Sequence, residues 1–466
     1  MEQALRNPLR PIRCLSLGLL ICLGAQSCDG DPSSDRGDTG VTTPDGGPSV
    51  DSDTPDALPT RVWSPPENIS QSPTYSDLRI NWGNSVAVDD SGAVHATWRE
   101  VVDPQTSPLV SKIAHRRRGP SGWEPTQDLS GEAPGLGHPK LAVDAGHVYV
   151  VWHQYDPAPA GFDSLHLAVS AAGGIAGSFG SPATLVDDAP VVVSPAGDLS
   201  TSPSIAAVDD WVYVVWSDDR VVPTCGTNVP EVYLVRSSDR GGGWSTPQLV
   251  SAPDCRSSWT PAVAASDDFV HVAWTDDRHN TDDCALGSAA CHEEEYYRRL
   301  ADHGAAPDTP ELRLTTDDPG PPVESWAGSV AVSAGAVHYA WMDLSGGDGW
   351  EVYYARSDDL GLGWSLPAEP LTHHAPGCGS VRPTLAAEGD VVHLVWFELC
   401  TDAAGDTATV FHRWSADGGD TWSNRSDVTS GNALFAVHPS VAVAPDAVHV
   451  VYNDQAEIWY ATSPGP

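Results

Sequence analysis

The sequence predicts an all-β protein, a β-propeller of four-stranded blades, and three observations predict it. A phrase of alternating apolar residues ending in an aromatic recurs seven times along the 466 residues. A turn motif, S-x-D-x-G-x-x-W, follows the phrase in three of those repeats. The composition, with 43 Gly and 40 Pro, is that of a chain with many turns.

The phrase occupies residues 84–98 (NSVAVDDSGAVHATW), 139–152, 203–216, 261–274, 328–341, 383–396 and 439–452 (PSVAVAPDAVHVVY). Start and closing aromatic stay 13 residues apart in six copies and 14 in the first, while successive copies lie 54 to 67 residues apart. A constant core with variable connections is the signature of a structural repeat. Each phrase reads as two short strands joined by an Asp/Gly turn, with Pro at the first strand position where no ladder donor is needed. A third strand follows, as at 231–236 (EVYLVR) and 351–356 (EVYYAR), then the turn motif, then a fourth strand such as 244–250.

The motif is complete in Ser237, Asp239, Gly241, Trp244, in Ser357, Asp359, Gly361, Trp364, and in Ser415, Asp417, Gly419, Trp422. Residues 116–123 (RRRGPSGW) read as a worn copy. These residues resemble the Asp box (BNR repeat) of sialidases and related propellers, over roughly residues 61–461. The resemblance implies a structural turn in which Asp and Ser oxygens take turn amides, Gly supplies positive φ and Trp packs inward. It does not make the Asp residues catalytic. Seven copies give seven blades by count, whereas the sialidases that the repeat resembles close with six. The seventh copy lacks a fourth strand and residues 62–70 (VWSPPENIS) have the outer-strand pattern, so an N-terminal outer strand is expected to close the ring.

Ahead of the repeats, residues 1–27 carry Arg6, Arg10 and Arg13 and then roughly ten apolar residues, well short of the roughly twenty that a membrane span needs. This is a signal-peptide pattern. Its end, Ala25-Gln26-Ser27-Cys28, resembles the bacterial lipobox and implies lipidation at Cys28, although Gln26 departs from the usual small residue. Residues 28–60 are Asp, Gly, Pro, Ser and Thr with few apolar side chains, an acidic tether without the means to bury a core. Residues 61–466 are the expected propeller. The implied location is the bacterial cell envelope, in the outer membrane or periplasm, with the lipid as the sole membrane contact.

A net charge of −39 repels phosphate backbones, so nucleic acid is not an expected partner. The protein is expected to be a monomer. Six cysteines follow the tether: Cys225, Cys255, Cys284, Cys291, Cys378 and Cys400. In an exported chain an even number reads as disulfides. The economical pairing is Cys225 with Cys255, Cys284 with Cys291 and Cys378 with Cys400, and no C-x-x-C pair points to zinc. No metal or cofactor is expected.

Candidate ligand residues fall on the face opposite the turn motif. Two positions after the closing aromatics stand Glu100, Gln154, Asp218, Asp276, Asp343, Glu398 and Asp454. They read either as a cation or polyol site or as caps of their own strand ends. Trp82, Trp259 and Trp326 each precede a first strand by two positions, suiting sugar C–H faces or core packing equally. His138 and His438, at equivalent places, read as hydrogen-bonded structural residues. Arg220, Arg278 and Arg382 match the sialidase habit of gripping a substrate carboxylate with three arginines, yet each DDR phrase can pair within its own blade, with Glu231 or Glu294. The sialidase Arg-Ile-Pro phrase has only Arg79-Ile80-Asn81 as a counterpart, and the nucleophilic Tyr cannot be placed. The reading is a propeller that recognises glycans or glycoproteins without established catalysis. Its alternatives are an exo-α-sialidase or related glycoside hydrolase on an anionic sugar, and a protein-interaction scaffold.

Overall fold

The computed structural model describes residues 58–78, 84–156, 162–187, 203–218, 229–280, 293–315, 324–345, 349–366, 368–402, 405–431 and 433–465. Among them every regular element is a β-strand. The fold is an all-β propeller of four-stranded blades. The calls on the signal peptide, Cys28 and most of the tether lie outside the described residues.

The strands form seven antiparallel sheets, called I to VII in chain order of their first strands. Sheet V is typical, running Ser325–Ser333, Ala336–Asp343, Glu351–Ser357 and Glu369–Pro370, each strand paired with the next. The other first strands are Val86–Val88, Lys140–Asp144, Ser204–Val208, Ser258–Ser266, Cys378–Glu388 and Val437–Ala444. Each first strand packs beside the first strand of the next sheet, and that of sheet VII packs beside that of sheet I. The outermost strand of sheet VII is Glu67–Asn68, from the start of the chain, paired with Glu457–Pro464.

The repeated phrases fold this way because their alternation puts one apolar set between each sheet and its neighbour. The closing aromatics Trp98, Trp152, Trp216, Trp274, Trp341, Trp396 and Tyr452 are all buried at 2% exposure or less. Core clusters bridge adjacent sheets: Tyr297 of sheet IV packs with Val337, Tyr339 and Trp341 of sheet V.

A second repeated device, not anticipated from the sequence, links strands and sheets. A histidine three residues before the closing aromatic bonds a tyrosine on the third strand: His271 with Tyr297, His338 with Tyr354 and His449 with Tyr460, each at 2.7 Å. In sheets I and VI the pair is two histidines, His95 with His115 at 3.2 Å and His393 with His412 at 2.9 Å. The tyrosine then receives the edge of a tryptophan from the next sheet: Trp364 on Tyr297 at 4.8 Å, Trp422 on Tyr354 at 5.0 Å and Trp123 on Tyr460 at 5.1 Å between centroids. Such edge-to-face pairs contribute about 0.5–1.5 kcal/mol each beyond burial.

The three turn motifs share one hydrogen-bond pattern. Ser237, Ser357 and Ser415 donate to Asp239, Asp359 and Asp417 at 2.7 Å, and accept the amides of Gly241, Gly361 and Gly419 at 2.7–2.8 Å. The Asp also takes an amide from the far side of the turn, Gly243, Gly363 or Thr421, at 2.7–2.8 Å. The serine hydroxyl and one carboxylate oxygen of the aspartate are therefore spent on the turn itself.

Candidate functional site

The face opposite these turns is where first strands begin and second strands end, and it holds the candidate residues that can be placed. Trp82, Arg220, Cys225, Cys284 and Cys291 lie outside the described residues.

Arg278 is engaged by carboxylates. Its guanidinium donates to Asp276 at 2.6 and 2.7 Å and to Glu311 at 2.8 Å, lies 3.3 Å from Asp254, and stacks 4.1 Å over the ring of Tyr296. A local ion pair was expected, but with Glu231 or Glu294, and that partner assignment is corrected. Glu231 instead accepts from Ser251 at 2.5 Å, and burial raises its pKa to about 8. Glu294 pairs with Arg313.

Arg382 sits elsewhere, in a left-handed conformation (φ 52°) at a bulge between Val381 and Thr384 of the first strand of sheet VI. Its charge acts on Lys140, a buried residue of sheet II, whose pKa is lowered to about 7 by burial and by Arg382. Beside them Asp77 accepts from Arg99 at 2.9 Å and lies 3.3 Å from His138, whose pKa falls to about 4, chiefly by burial. All the contacts of Arg278 lie with sheet IV and its flanking loops, so it does not meet Arg382.

The acidic positions after the closing aromatics serve their own surroundings. Asp218, Asp276 and Asp343 accept the indole N–H of Trp216, Trp274 and Trp341 at 2.9–3.0 Å. Glu100 pairs with Lys112 at 3.1 Å, Glu398 pairs with Arg425 at 2.5 Å, Asp454 takes the amides of Leu434 and Phe435, and Gln154 donates to Pro134 at 3.5 Å. His438, at φ 53°, meets the ring of Phe397 at 5.8 Å.

Of the cysteines, Cys378 and Cys400 stand directly opposite on neighbouring strands of sheet VI and form a disulfide. Cys255 is also disulfide-bonded. Glu398 lies close to the Cys378–Cys400 pair, but the bonded sulfurs have no thiolate to offer a metal.

What the structure does bring together is Trp259 of sheet IV and Trp326 of sheet V. Both sit where the first strand shifts register, between Trp259 and Ala262 and between Trp326 and Ser329. Bulges re-aim side chains. The two indoles face each other at 6.4 Å between centroids, tilted by 53°. Against Trp326 lies Glu293, 1% exposed, which sequence reasoning missed. Its peptide oxygen accepts from Ser325 at 2.9 Å, fixing it to the start of sheet V. Burial raises its pKa and Asp277 adds to that, while side-chain hydrogen bonds from Trp326 and Asn280 oppose it. The signal in the sequence was only the acidic run 293–295, which has no repeat counterpart.

No protein-family model matches the chain, and no curated protein sequence matches it. Solved structures do. A protein of unknown function from Dyadobacter fermentans is similar over 88% of this chain and 100% of its own, with a TM-score of 0.50 and 13% identity. The GH93 α-L-arabinofuranosidase of Fusarium graminearum, solved with arabinobiose, is similar over 75% of this chain and 97% of its own (TM-score 0.46, 13% identity). The α-L-arabinanase of Penicillium chrysogenum, also with arabinobiose, covers 88% and 98% (TM-score 0.39, 12% identity). At these identities the likeness concerns the fold alone. Sialidase activity finds no support in it.

Proposed function

We propose that this protein is a glycan-recognising propeller whose ligand sits between sheets IV and V, against Trp259 and Trp326. The observation that carries the reading is that indole pair, set at two strand bulges on the loop-bearing face. Tilted aromatic faces suit the C–H surfaces of a sugar ring, and the polar groups around them suit its hydroxyls. Neighbouring folds that carry arabinobiose are in keeping with a sugar ligand without supplying an argument for it.

The exo-sialidase alternative draws no support, because Arg278 is already held by three carboxylates. We further infer that the seven sheets are seven blades, that the Glu67–Asn68 pairing closes the ring, and that the serine–aspartate turns are Asp boxes. A lipid on Cys28, a location in the cell envelope and a monomeric state belong to the same proposal.

The test is binding of the purified, oxidised protein to an immobilised glycan panel, beside its Trp259→Ala variant. Retention of one glycan class by the parent, with a loss of tenfold or more in the variant, is expected. A correctly folded parent that retains none would sink the reading and leave the protein-scaffold alternative.

A further inference from the structure

We propose that residues 58–66 form an acid-released strap: protonation of the His393–His412 pair beneath it frees it from sheets VI and VII while the sheets themselves stay folded. The inference concerns a conformational device and stands independently of the glycan reading.

The strap is fastened at three places. Trp414 donates to the peptide oxygen of Pro59 at 3.0 Å, and Arg61 stacks 4.3 Å over the Trp414 ring and donates to Pro464. Trp63, buried, meets the ring of His412 edge-on at 5.1 Å between centroids and donates to Ser426 at 3.1 Å. The Ser64 amide donates to Thr462 at 2.8 Å, and the Ser64 hydroxyl accepts the Thr462 amide at 3.1 Å. Pro65 and Pro66 follow, and neither has an N–H to tie to a neighbour. The strap can therefore lift without opening the Glu67–Asn68 ladder beyond them.

Under Trp63, neighbouring strands of sheet VI place His393 Nδ1 2.9 Å from His412 Nε2. His412 Nδ1 lies 3.4 Å from the same Ser426 hydroxyl that Trp63 uses, so one hydroxyl joins strap and histidine. The charged groups that act on His412 are His393, from the second strand, and Arg61, from the strap; Arg61 also acts on His393. The fourth strand presents the neutral Ser426, while its Asp427 is spent on Thr429 and Gly431. Sheet VII adds Val448, Val450, Tyr452 and Ala461 to the cluster that holds Trp63. Every charge acting on the pair is thus positive, and no carboxylate among the described residues compensates a proton placed there.

Burial, reinforced by these cations, lowers the pKa of His393 to about 3 and that of His412 well below its ordinary value. Both rings are therefore neutral under the strap and take a proton when water reaches them. An imidazole that titrates near 6.5 when hydrated and near 3 when covered favours release about 100-fold more at pH 4.5 than at neutrality, and two favour it about 10,000-fold. The histidine–tyrosine bridges differ, because each is covered by a tryptophan of a neighbouring sheet and not by a terminal segment.

The experiment is hydroxyl-radical footprinting of the full chain at pH 7.0 and pH 4.5, with oxidation of Trp63 and of Trp341 read by mass spectrometry. Trp341, 2% exposed in sheet V, reports on the body of the fold. We expect the oxidation rate of Trp63 to rise at least tenfold at pH 4.5 while that of Trp341 holds, and His412→Gln to suppress most of the rise. A Trp63 equally shielded at both pH values overturns the inference. So does a Trp63 that is exposed only together with Trp341, which would mean unfolding of the whole, and so does a His412→Gln variant with the parental rise. Comparing the two tryptophans in the parent needs no variant, so a His412→Gln protein that fails to fold does not shield the claim.

Discussion

A single glycine shows how tightly the turn motif is bound to the neighbouring sheet. Gly361 has φ +87°, and a Cβ built there would lie 1.7 Å from the hydroxyl of Tyr297, itself fixed by His271. Gly241 has a similar φ of +90°, but its nearest neighbour would be 3.5 Å away. Gly361→Ala should therefore cost about 2–4 kcal/mol, combining backbone strain with overpacking, and Gly241→Ala about 1 kcal/mol. Urea unfolding of the two variants checks the difference; equal losses would mean that backbone strain alone explains the glycine. At the same scale, Glu295 is fully buried, accepts from Thr275 at 2.9 Å and from Tyr339, and has its pKa raised to about 8 by burial. A carboxyl with a raised folded pKa favours folding while it is protonated, so its contribution fades as pH rises from about 4.3 through about 8. Glu295→Gln should flatten that decline by on the order of a few kcal/mol, read from unfolding free energies at pH 5 and pH 8. The glycine of the motif was legible in the sequence because the turn demands it locally. Glu295 and Glu293 were not, since what singles them out is the loss of water around them, which only the assembled sheets produce.

Within one sheet, the histidine–tyrosine bridges set the response to acid. Burial lowers the pKa of His271 to about 3 and of His338 and His449 to about 4, against 6.5 in the unfolded chain. A histidine with a depressed folded pKa contributes stability that is complete above about 6.5 and is lost as pH falls toward the folded value. Unfolding free energy should fall between pH 6.5 and 4 with a slope of roughly 1.4 kcal/mol per unit for each such histidine, unless carboxylates offset it. His338→Phe should show a shallower slope in the same titration, and an unchanged slope would count against the bridge. Strand pairing and the two-strand phrases were readable because alternation and turn residues are local properties of the chain. The bridge was in view too, as a histidine three places before the aromatic in five copies, but its tyrosine partner sits on the next strand and only strand register joins them. The Cys378–Cys400 disulfide spans 22 residues, and opening it with a Cys400→Ser variant should cost about 3 kcal/mol in thermal or chemical unfolding.

Over the whole molecule, the repeats made the propeller architecture legible, and the pairing of a segment near the start of the chain with the last sheet was anticipated from a missing fourth strand. The position of Arg382 beside Lys140 was not, because those residues are 242 apart in the chain and meet only through the ring. The N-terminal segment does more than add a strand to sheet VII. Trp63 inserts into the core beside sheet VI and donates to Ser426 at 3.1 Å, while Arg61 stacks 4.3 Å over Trp414. Trp63→Ala should cost about 3–5 kcal/mol, a loss visible as a lower melting temperature of the whole protein and not of one sheet. The same placement has a mechanical consequence. Any pull transmitted through the residues preceding Leu58 reaches the folded body at Arg61 and Trp63 before it reaches the Glu67–Asn68 ladder. The tryptophan acts as a peg that must be drawn out of its socket before the outer strand can peel. Force applied from that end is therefore borne first by the contacts of Arg61 and Trp63 and by the hydrogen bonds of Arg61 to Pro464 and of Ser64 to Thr462, and only then by the Glu67–Asn68 ladder.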